Sequence, residues 1–265
     1  SFRVGGLVKL ASVIRKDMSV TSVIHQAFGE FRSHDVANAM IIKDAFLSGN
    51  TARYDKYQVM RRDVPDGPLV SNDELVERIV HSWEVYGNQM AMLGTKLHND
   101  IELYYNHQEY ENDSKEFQHF LAYDRMQKEK GWKPYRTEIM IFGEADGTCG
   151  SVDMVYQSPD GKFHLADWKR SKAITKFGFG KYGKGALSHL PDANYYHYSL
   201  QLNMYGYLLA KYYDIVCQDL SIVVFHPDNA SFLEFPVRFM ANEIHELLKI
   251  HKKSLAHISR ESSVL

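Results

Sequence analysis

The side chains of this sequence that could do chemistry together are Asp153, Asp167 and Lys169. Two carboxylates held close together repel each other strongly unless a cation lies between them. Mg²⁺ and Mn²⁺ prefer such oxygen ligands. A neighbouring lysine can hold an attacking water or neutralise charge that develops on a phosphate oxygen. The combination predicts a divalent-metal site suited to phosphodiester hydrolysis, and the alternative is a surface hairpin with ordinary solvated charges.

A β-hairpin is expected to gather these side chains. Two β-prone runs, residues 151–156 and 163–168, flank the sequence Ser158-Pro159-Asp160-Gly161. In that turn the proline presets a dihedral angle and the glycine tolerates positive φ. Antiparallel pairing about the turn places position 153 opposite position 167 or one residue away. Alternation along the strand then puts Asp167 and Lys169 on one face and Trp168 on the other.

The elements around the hairpin predict an α/β fold with a central mixed β-sheet flanked by helices. Helical patterns fill the N-terminal part, and a long helix is expected from residue 71 or 72 to about 105, with Gly87 and Gly94 as points of interruption. The remaining elements follow in the order α-β-β-β-α-β-β-α: residues 120–129, 135–142, 151–156, 163–168, 195–213, 220–226, 232–238 and 241–258.

A turn-forming segment, Pro65-Asp66-Gly67-Pro68, marks the expected domain boundary. We therefore predict a helical N-terminal extension over residues 1–70 and a core over residues 71–265. The chain begins with Ser1 rather than Met, which is compatible with a processed product or with a piece of a longer protein.

Further polar residues could join the site. His98 shares a helix face with Glu102 and could offer a metal a neutral nitrogen, although a solvated helix histidine is the alternative. Glu138 precedes the hairpin and either faces its acids or is a charge on a half-exposed strand. Gln201 and Tyr205 lie one helical turn apart and could hold a phosphate or orient a catalytic group, or simply pack an aromatic helix.

Residues 168–191 contain no acidic residue. This segment is glycine-rich, and we expect it to form an extended loop in which aromatic residues lie among basic residues. Basic groups neutralise phosphates, and aromatic rings stack on unpaired nucleobases. The composition therefore favours a loop that binds nucleic acid over a mobile loop that is merely solvated. Its aromatic residues are Phe177, Phe179 and Tyr182, and its predicted nucleic-acid contacts are Arg170, Lys172, Lys176, Lys181 and Lys184.

Composition excludes several classes of protein. The net charge is −2, so a nucleic-acid partner must be held by a local patch. Two cysteines, Cys149 and Cys217, cannot form a disulfide framework, a four-cysteine zinc site or a four-cysteine iron–sulfur cluster. Apolar runs of membrane-spanning length are absent, and residues 1–25 lack a signal-peptide core. We expect an intracellular protein of a reducing compartment with no membrane partner.

The ordered motifs G-T-x-x-H, G-x-x-D, D-W-K and Q-x-x-x-Y resemble the RecB-type branch of the PD-(D/E)xK nuclease superfamily, over roughly residues 80–240. CRISPR-adaptation and mitochondrial genome maintenance exonucleases are similar relatives. The literal Pro-Asp pair is absent because Val152 precedes Asp153, and the cysteines of the iron–sulfur relatives are absent too.

The resemblance implies a restriction-endonuclease-like core and a role for each matching residue. His98, Asp153 and Asp167 would be ligands of one or two Mg²⁺ or Mn²⁺ ions, together with the carbonyl of Trp168. Lys169 would be the catalytic lysine, with Glu138 a looser counterpart among the catalytic acids. Gln201 and Tyr205 would contact DNA or steady the site.

The expected activity is a metal-dependent deoxyribonuclease, an exonuclease acting on single-stranded DNA or DNA ends in replication, recombination or repair, alone or with proteins of those processes. Two alternatives remain open from sequence. An RNA endonuclease of the cap-snatching type shares the inventory of a histidine, two acids and a lysine. A nucleic-acid-binding module without catalysis would bind but not cut.

Overall fold

A computed structural model of the protein describes residues 18–49 and 52–261, with side chains through residue 255. Residues 1–17, 50 and 51, which belong to the predicted N-terminal helical extension, lie outside the described residues.

One mixed sheet contains the six strands found in the described residues. Their order is β1-β3-β4-β5-β6, and β2 pairs with β3. The pairs β1–β3 and β4–β5 are parallel, whereas β2–β3, β3–β4 and β5–β6 are antiparallel. The strands are β1 (Met18–Ser19), β2 (Lys133–Gly143), β3 (Thr148–Gln157), β4 (Phe163–Lys169), β5 (Cys217–Val224) and β6 (Leu233–Val237).

Helices flank both faces of this sheet, which confirms the predicted α/β class with a central mixed sheet. The helices are α1 (Val20–Gln26), α2 (Ser33–Ile41), α3 (Asp44–Leu47), α4 (Asp55–Gln58), α5 (Asn72–Tyr105), α6 (Lys115–Glu129), α7 (Asn194–Tyr213) and α8 (Ala241–Glu261). One face of the sheet packs against α1, α7 and α8. The other face packs against α6 and the last turns of α5, around Trp168.

Two compact units divide the chain, one of residues 30–95 and one of the described residues before 30 and after 95. Residues 18–29 group with the sheet because β1 pairs with β3 and α1 contributes Val20, Val23 and Ile24 to its core. The smaller unit is helical and has its own core around Ile41, Phe46 and Ile79. The boundary expected near residue 70 stays a prediction.

Several elements differ from the expected bounds. Helix α5 continues through Gly87 and Gly94 without interruption. Helix α6 begins at Lys115, five residues before the expected start, because the Ser114 hydroxyl accepts a hydrogen bond from the Phe117 amide and caps the helix. The two-residue strand β1 was not expected, since a run so short leaves no periodic pattern.

None of the helices in the described part of the chain has the length and apolar content that crossing a bilayer requires.

Candidate metal centre

The hairpin of β3 and β4 opens at the residues predicted to do chemistry. Strand β4 pairs with residues 154–157 of β3, and the ladder ends at Met154 opposite Ala166. Strand β2 lines the other edge of β3 along its whole length. Beyond the end of the ladder, Asp153 Oδ2 accepts a hydrogen bond of 2.6 Å from the Trp168 amide. The Asp153 side chain thus takes the place of the next backbone hydrogen bond between β3 and β4, and the pairing of the two strands ends at Asp153.

Three potential metal-ligand atoms converge at this opening. His98, Glu138 and Asp153 each offer one ligand atom, and these atoms all lie within 4.8 Å of one another. His98 Nδ1 is 3.4 Å from Glu138 Oε1 and 3.5 Å from Asp153 Oδ1. The structure therefore brings together a helix residue, a β2 residue and a β3 residue that are distant in sequence.

Neighbouring groups hold these three potential ligands in position. Glu138 has a φ of 45°, a left-handed conformation inside strand β2 that a non-glycine residue rarely adopts. Ser151 Oγ donates to Glu138 Oε2 at 2.9 Å. The second ring nitrogen of His98, Nε2, lies 3.1 Å from the Trp168 carbonyl oxygen. Hydrogen bonds from groups that do not themselves bind the metal set the orientation of ligand side chains.

Asp167 and Lys169 form an ion pair beside this group. Lys169 Nζ is 2.6 Å from Asp167 Oδ2, and both side chains are largely buried. The ammonium also lies over the ring of Tyr198, 4.8 Å from its centroid. Trp168 points to the opposite face and is fully buried in the aromatic core, as the predicted alternation requires. Asp167 lies outside the group of three converging ligands, and the ligand roles predicted for Asp167 and the Trp168 carbonyl stay predictions.

Gly150 and Tyr205 explain two of the sequence motifs physically. A Cβ atom at Gly150 would lie 2.5 Å from Tyr205 Cε1, so only glycine leaves room for this ring. The Gln201 amide donates to the Tyr205 hydroxyl at 2.9 Å. Burial, and then the nearby charge of Asp167, raises the pKa of Tyr205. The G-x-x-D and Q-x-x-x-Y motifs thus meet at the acidic cluster.

The charges of the cluster are strongly interdependent. Burial disfavours the charged form of His98, but the negative charge of Asp153 and hydrogen bonds to Asp153 and Glu138 outweigh it and raise the pKa of His98 to about 10. Burial likewise opposes the charge on Lys169, yet Asp167 and Asp153 raise its pKa. The acids of the cluster therefore favour positive charge on both neighbouring bases.

The two aspartates of the cluster shift in opposite directions. Burial raises the pKa of Asp167, and repulsion by Asp153 adds to this effect against the attraction of Lys169. Burial also opposes ionisation of Asp153, but His98, Lys169 and the Trp168 amide together lower the pKa of Asp153. Of the two aspartates, Asp153 therefore stays ionised more readily, and an ionised carboxylate is the form that binds a metal.

The donor set fits a divalent cation. Two carboxylates and one imidazole supply two hard oxygen ligands and one nitrogen, a combination that suits Mn²⁺ and also Mg²⁺. Three buried or half-buried acids in one place also call for positive charge, which a divalent ion would provide. The three residues that would hold it are His98, Glu138 and Asp153.

The predicted nucleic-acid contacts lie in different environments. Lys176, Lys181 and Lys184 are exposed on the loop between β4 and α7. Lys172 is exposed as well and pairs with Asp228 at 2.8 Å. Arg170 is largely buried, and its Nε is 2.8 Å from Glu116 Oε1. Arg170 thus forms a largely buried ion pair with Glu116. A contact between Arg170 and nucleic acid stays a prediction.

Sequence reasoning missed two residues that touch the cluster. Ser151 lies inside the G-x-x-D motif, and its hydroxyl binds Glu138. Tyr198 lies three residues before Gln201 on the same face of α7, so helical spacing from the accessory motif was the signal that could have found it.

No protein-family profile and no curated protein sequence matches this chain. Among solved structures, that of SSO0001 is 16% identical with a TM-score of 0.28, and the alignment covers 52% of this chain and 57% of the other. A protein of Eubacterium rectale named "Putative exonuclease" is 12% identical with a TM-score of 0.32, over 88% of this chain and 69% of the other. Neither similarity establishes a family or an activity for this chain.

Proposed function

We propose that this chain is a metal-dependent nuclease that hydrolyses phosphodiester bonds of DNA. The observation that carries the proposal is the convergence of His98, Glu138 and Asp153 within 4.8 Å, beside a buried lysine. The ordered sequence motifs support placing it in the RecB-type branch of the PD-(D/E)xK superfamily, with a restriction-endonuclease-like core. One or two Mg²⁺ or Mn²⁺ ions would bind here, and two cysteines leave no four-thiolate iron–sulfur site.

A bound divalent ion polarises a phosphate oxygen and makes its bound water more acidic. The protein's own groups then divide the remaining work. The Trp168 amide fixes Asp153, and Ser151 fixes Glu138, so that both carboxylates are positioned before substrate arrives. Lys169, held between Asp167 and the Tyr198 ring, is placed to donate to a phosphate oxygen or to the attacking water.

The finer parts of the proposal concern substrate and setting. We propose an exonuclease that acts on single-stranded DNA or DNA ends in replication, recombination or repair, inside the cell and alongside proteins of those processes. The exposed lysines of the loop between β4 and α7 support nucleic acid as the partner, since phosphate contacts dominate affinity for it.

Cleavage of end-labelled oligonucleotides tests the proposal. Matched DNA and RNA strands, labelled at the 5′ or the 3′ end, are incubated with Mn²⁺, Mg²⁺ or EDTA. The proposal predicts cleavage of DNA that requires metal and disappears in Asp153→Asn. Asp160→Asn is the matched control, because Asp160 lies on the exposed hairpin turn and pairs with Lys162. Cleavage of RNA alone would favour the endonuclease alternative, and metal-independent binding without cleavage would favour the non-catalytic one.

A further inference from the structure

The loop between β4 and α7 presents aromatic side chains to solvent in an unusual way. Phe179 is 95% exposed and Phe177 is 78% exposed. Phe179 also has a φ of 50°, a left-handed conformation that costs a bulky residue roughly 1–3 kcal/mol. A solvent-exposed phenylalanine gains nothing from burial that could offset this cost, so the conformation must be imposed by its surroundings.

The turn that carries Phe179 is fixed by its own hydrogen bonds. We call residues 178–181 the Phe179 turn. The Lys181 amide donates to the Gly178 carbonyl at 2.8 Å, and the Asp192 amide donates to the Lys181 carbonyl at 2.9 Å. A Cβ atom at Gly178 would lie 2.4 Å from the Lys181 carbonyl oxygen and 2.6 Å from the Asp192 nitrogen. The returning chain therefore packs directly on Gly178, and the Phe179 side chain is held outward.

Both ends of the loop are tied to the candidate metal centre. The loop begins directly after Lys169 and ends at α7, the helix that carries Tyr198 and Tyr205. Asn194, the first residue of α7, accepts from the Thr175 amide at 2.8 Å and donates to the Ala173 carbonyl at 2.9 Å. The loop is thus anchored to the two elements that build the acidic cluster.

The charge of the loop restricts what can bind it. Lys176, Lys181 and Lys184 are exposed, and residues 168–191 carry no acid. An exposed aromatic ring among lysines combines a stacking surface with phosphate neutralisation. In a duplex the faces of the bases already stack on each other, whereas a single strand leaves them available.

We propose that the Phe179 turn is a stacking site for an unpaired base of single-stranded nucleic acid. The inference rests on the proposed function and assigns a site that holds its single-stranded substrate. The strand would be held by its phosphates at the loop lysines and by one base at the Phe179 ring. Phe177, two residues earlier in the chain, is a second exposed ring of the same loop.

Binding in EDTA, where no hydrolysis occurs, tests this site. The probe is a short fluorescein-labelled oligothymidylate, and fluorescence anisotropy gives Kd. Loss of one base–aromatic stack is expected to raise Kd about tenfold in Phe179→Ala and in Phe179→Leu. Phe179→Trp should retain wild-type affinity. Phe239→Ala is the matched control, because Phe239 is 58% exposed but lies outside the loop, and its Kd should not change.

Two further measurements separate stacking from charge and from misfolding. Phe179→Ala should leave the slope of log Kd against log salt concentration unchanged, whereas Lys181→Ala should reduce that slope by about 0.7. Phe179→Gly should melt no lower than wild type, because glycine adopts the left-handed φ freely, and should still bind the strand about tenfold more weakly.

An abasic strand gives the most selective comparison. Wild type should bind it about tenfold more weakly than oligothymidylate, and Phe179→Ala should bind the two strands alike. Wild-type affinity in both Phe179→Ala and Phe179→Leu would overturn the inference, as would equal wild-type affinity for a blunt duplex.

Hydrolysis of bis(4-nitrophenyl) phosphate with Mn²⁺ tests the proposed function separately, because that compound has no base. Hydrolysis by wild type without Phe179-dependent binding of the strand would support the proposed nuclease activity and overturn the stacking site. Phe179-dependent binding without hydrolysis would support the stacking site and contradict the proposed nuclease activity.

Discussion

Glu138 has a left-handed backbone within a strand, and its Oε1 lies 3.4 Å from His98 Nδ1. Strain of this kind persists when the surrounding structure enforces it, and it is concentrated at functional sites. The sequence leaves open whether Glu138 faces the hairpin acids or is a charge on a half-exposed strand. A left-handed φ at a non-glycine residue has no local sequence signal, so residue preferences do not decide between the two.

The strain at Glu138 predicts that glycine at this strand position is more stabilising than alanine. Both Glu138→Ala and Glu138→Gly remove the carboxylate, but only glycine accepts a φ of 45° without strain. We expect Glu138→Gly to be more stable than Glu138→Ala by about 1 kcal/mol, although glycine normally weakens a strand. Urea unfolding of the two variants measures the difference. An alanine variant as stable as the glycine variant would contradict the assigned backbone.

Lys169 is expected to act in catalysis rather than in folding alone. Lys169→Met keeps much of the side-chain volume and removes the charge, so Mn²⁺-dependent cleavage of the oligonucleotide should fall by about 10²–10³-fold. Lys162→Met is the control, because Lys162 is an exposed lysine of the same hairpin and pairs with Asp160. Equal activities in the two variants would remove Lys169 from the proposed mechanism.

At the scale of elements, the hairpin and the long helix were the parts most accessible from sequence. Pro159 and Gly161 identify a turn by their own dihedral preferences, and the register then follows by counting. Helix α6 begins five residues before its expected start, and Ser114 followed by Glu116 and Phe117 is the helix-start signal in the sequence that marks this point. Contacts between distant elements, such as Gly150 with Tyr205, have no local signal.

The contact between β3 and α7 should be sensitive to one added methyl group. A Cβ atom at position 150 would lie 2.5 Å from the Tyr205 ring. We expect Gly150→Ala to displace Tyr205, to lower the free energy of unfolding by about 1–3 kcal/mol and to reduce cleavage. Gly150→Ala combined with Tyr205→Leu should recover part of that stability. A fully stable single variant would show that the ring is not packed as described.

In helix α5, by contrast, replacing glycine by alanine should stabilise the protein. Gly87 and Gly94 lie inside the helix, and apart from adjacent residues and the helix's own backbone no atom lies within 4 Å of a Cβ built on either glycine. Replacing an open glycine in a helix by alanine lowers the conformational entropy of the unfolded chain. Gly87→Ala and Gly94→Ala should each raise the free energy of unfolding by about 0.5–1 kcal/mol in urea titrations. A loss of stability would indicate contacts that this structure does not contain.

At the scale of the whole molecule, sequence reasoning predicted the α/β class and the order of the later elements. It did not predict that residues 18–29 join the sheet-containing unit, because β1 has two residues and α1 seven. Their assignment comes from packing: Val20, Val23 and Phe28 are buried in the core shared with α7 and α8. Tertiary burial of this kind appears in a sequence only as scattered apolar residues.

A buried acid at the turn between β2 and β3 should govern stability in acid. Asp146 accepts from Lys211 at 2.7 Å and from the Tyr212 hydroxyl at 2.8 Å. Burial opposes its ionisation, but these partners outweigh burial and hold the pKa of Asp146 below its ordinary value of 3.8. A carboxyl whose pKa is lower in the folded protein stabilises it above the ordinary pKa, and that stability is lost as pH falls through the folded-state value.

The Asp146→Asn variant tests this pH dependence. Its free energy of unfolding should be lower than that of wild type by about 1–2 kcal/mol at neutral pH, because the buried carboxylate accepts charge-assisted hydrogen bonds that a neutral amide cannot replace. The difference should shrink as pH falls below about 4. Urea unfolding at several pH values gives the comparison. A difference that stays constant with pH would show that the Asp146 charge does not stabilise the fold.

Titration of the protein with Mn²⁺ by isothermal calorimetry tests the metal centre most directly. The account predicts saturable binding of one or two ions to wild type and to the surface control Asp160→Asn. It predicts loss of that binding in Asp153→Asn and marked weakening in Glu138→Gln and His98→Ala. Absence of saturable binding to wild type, or binding that all three site variants retain, would contradict it.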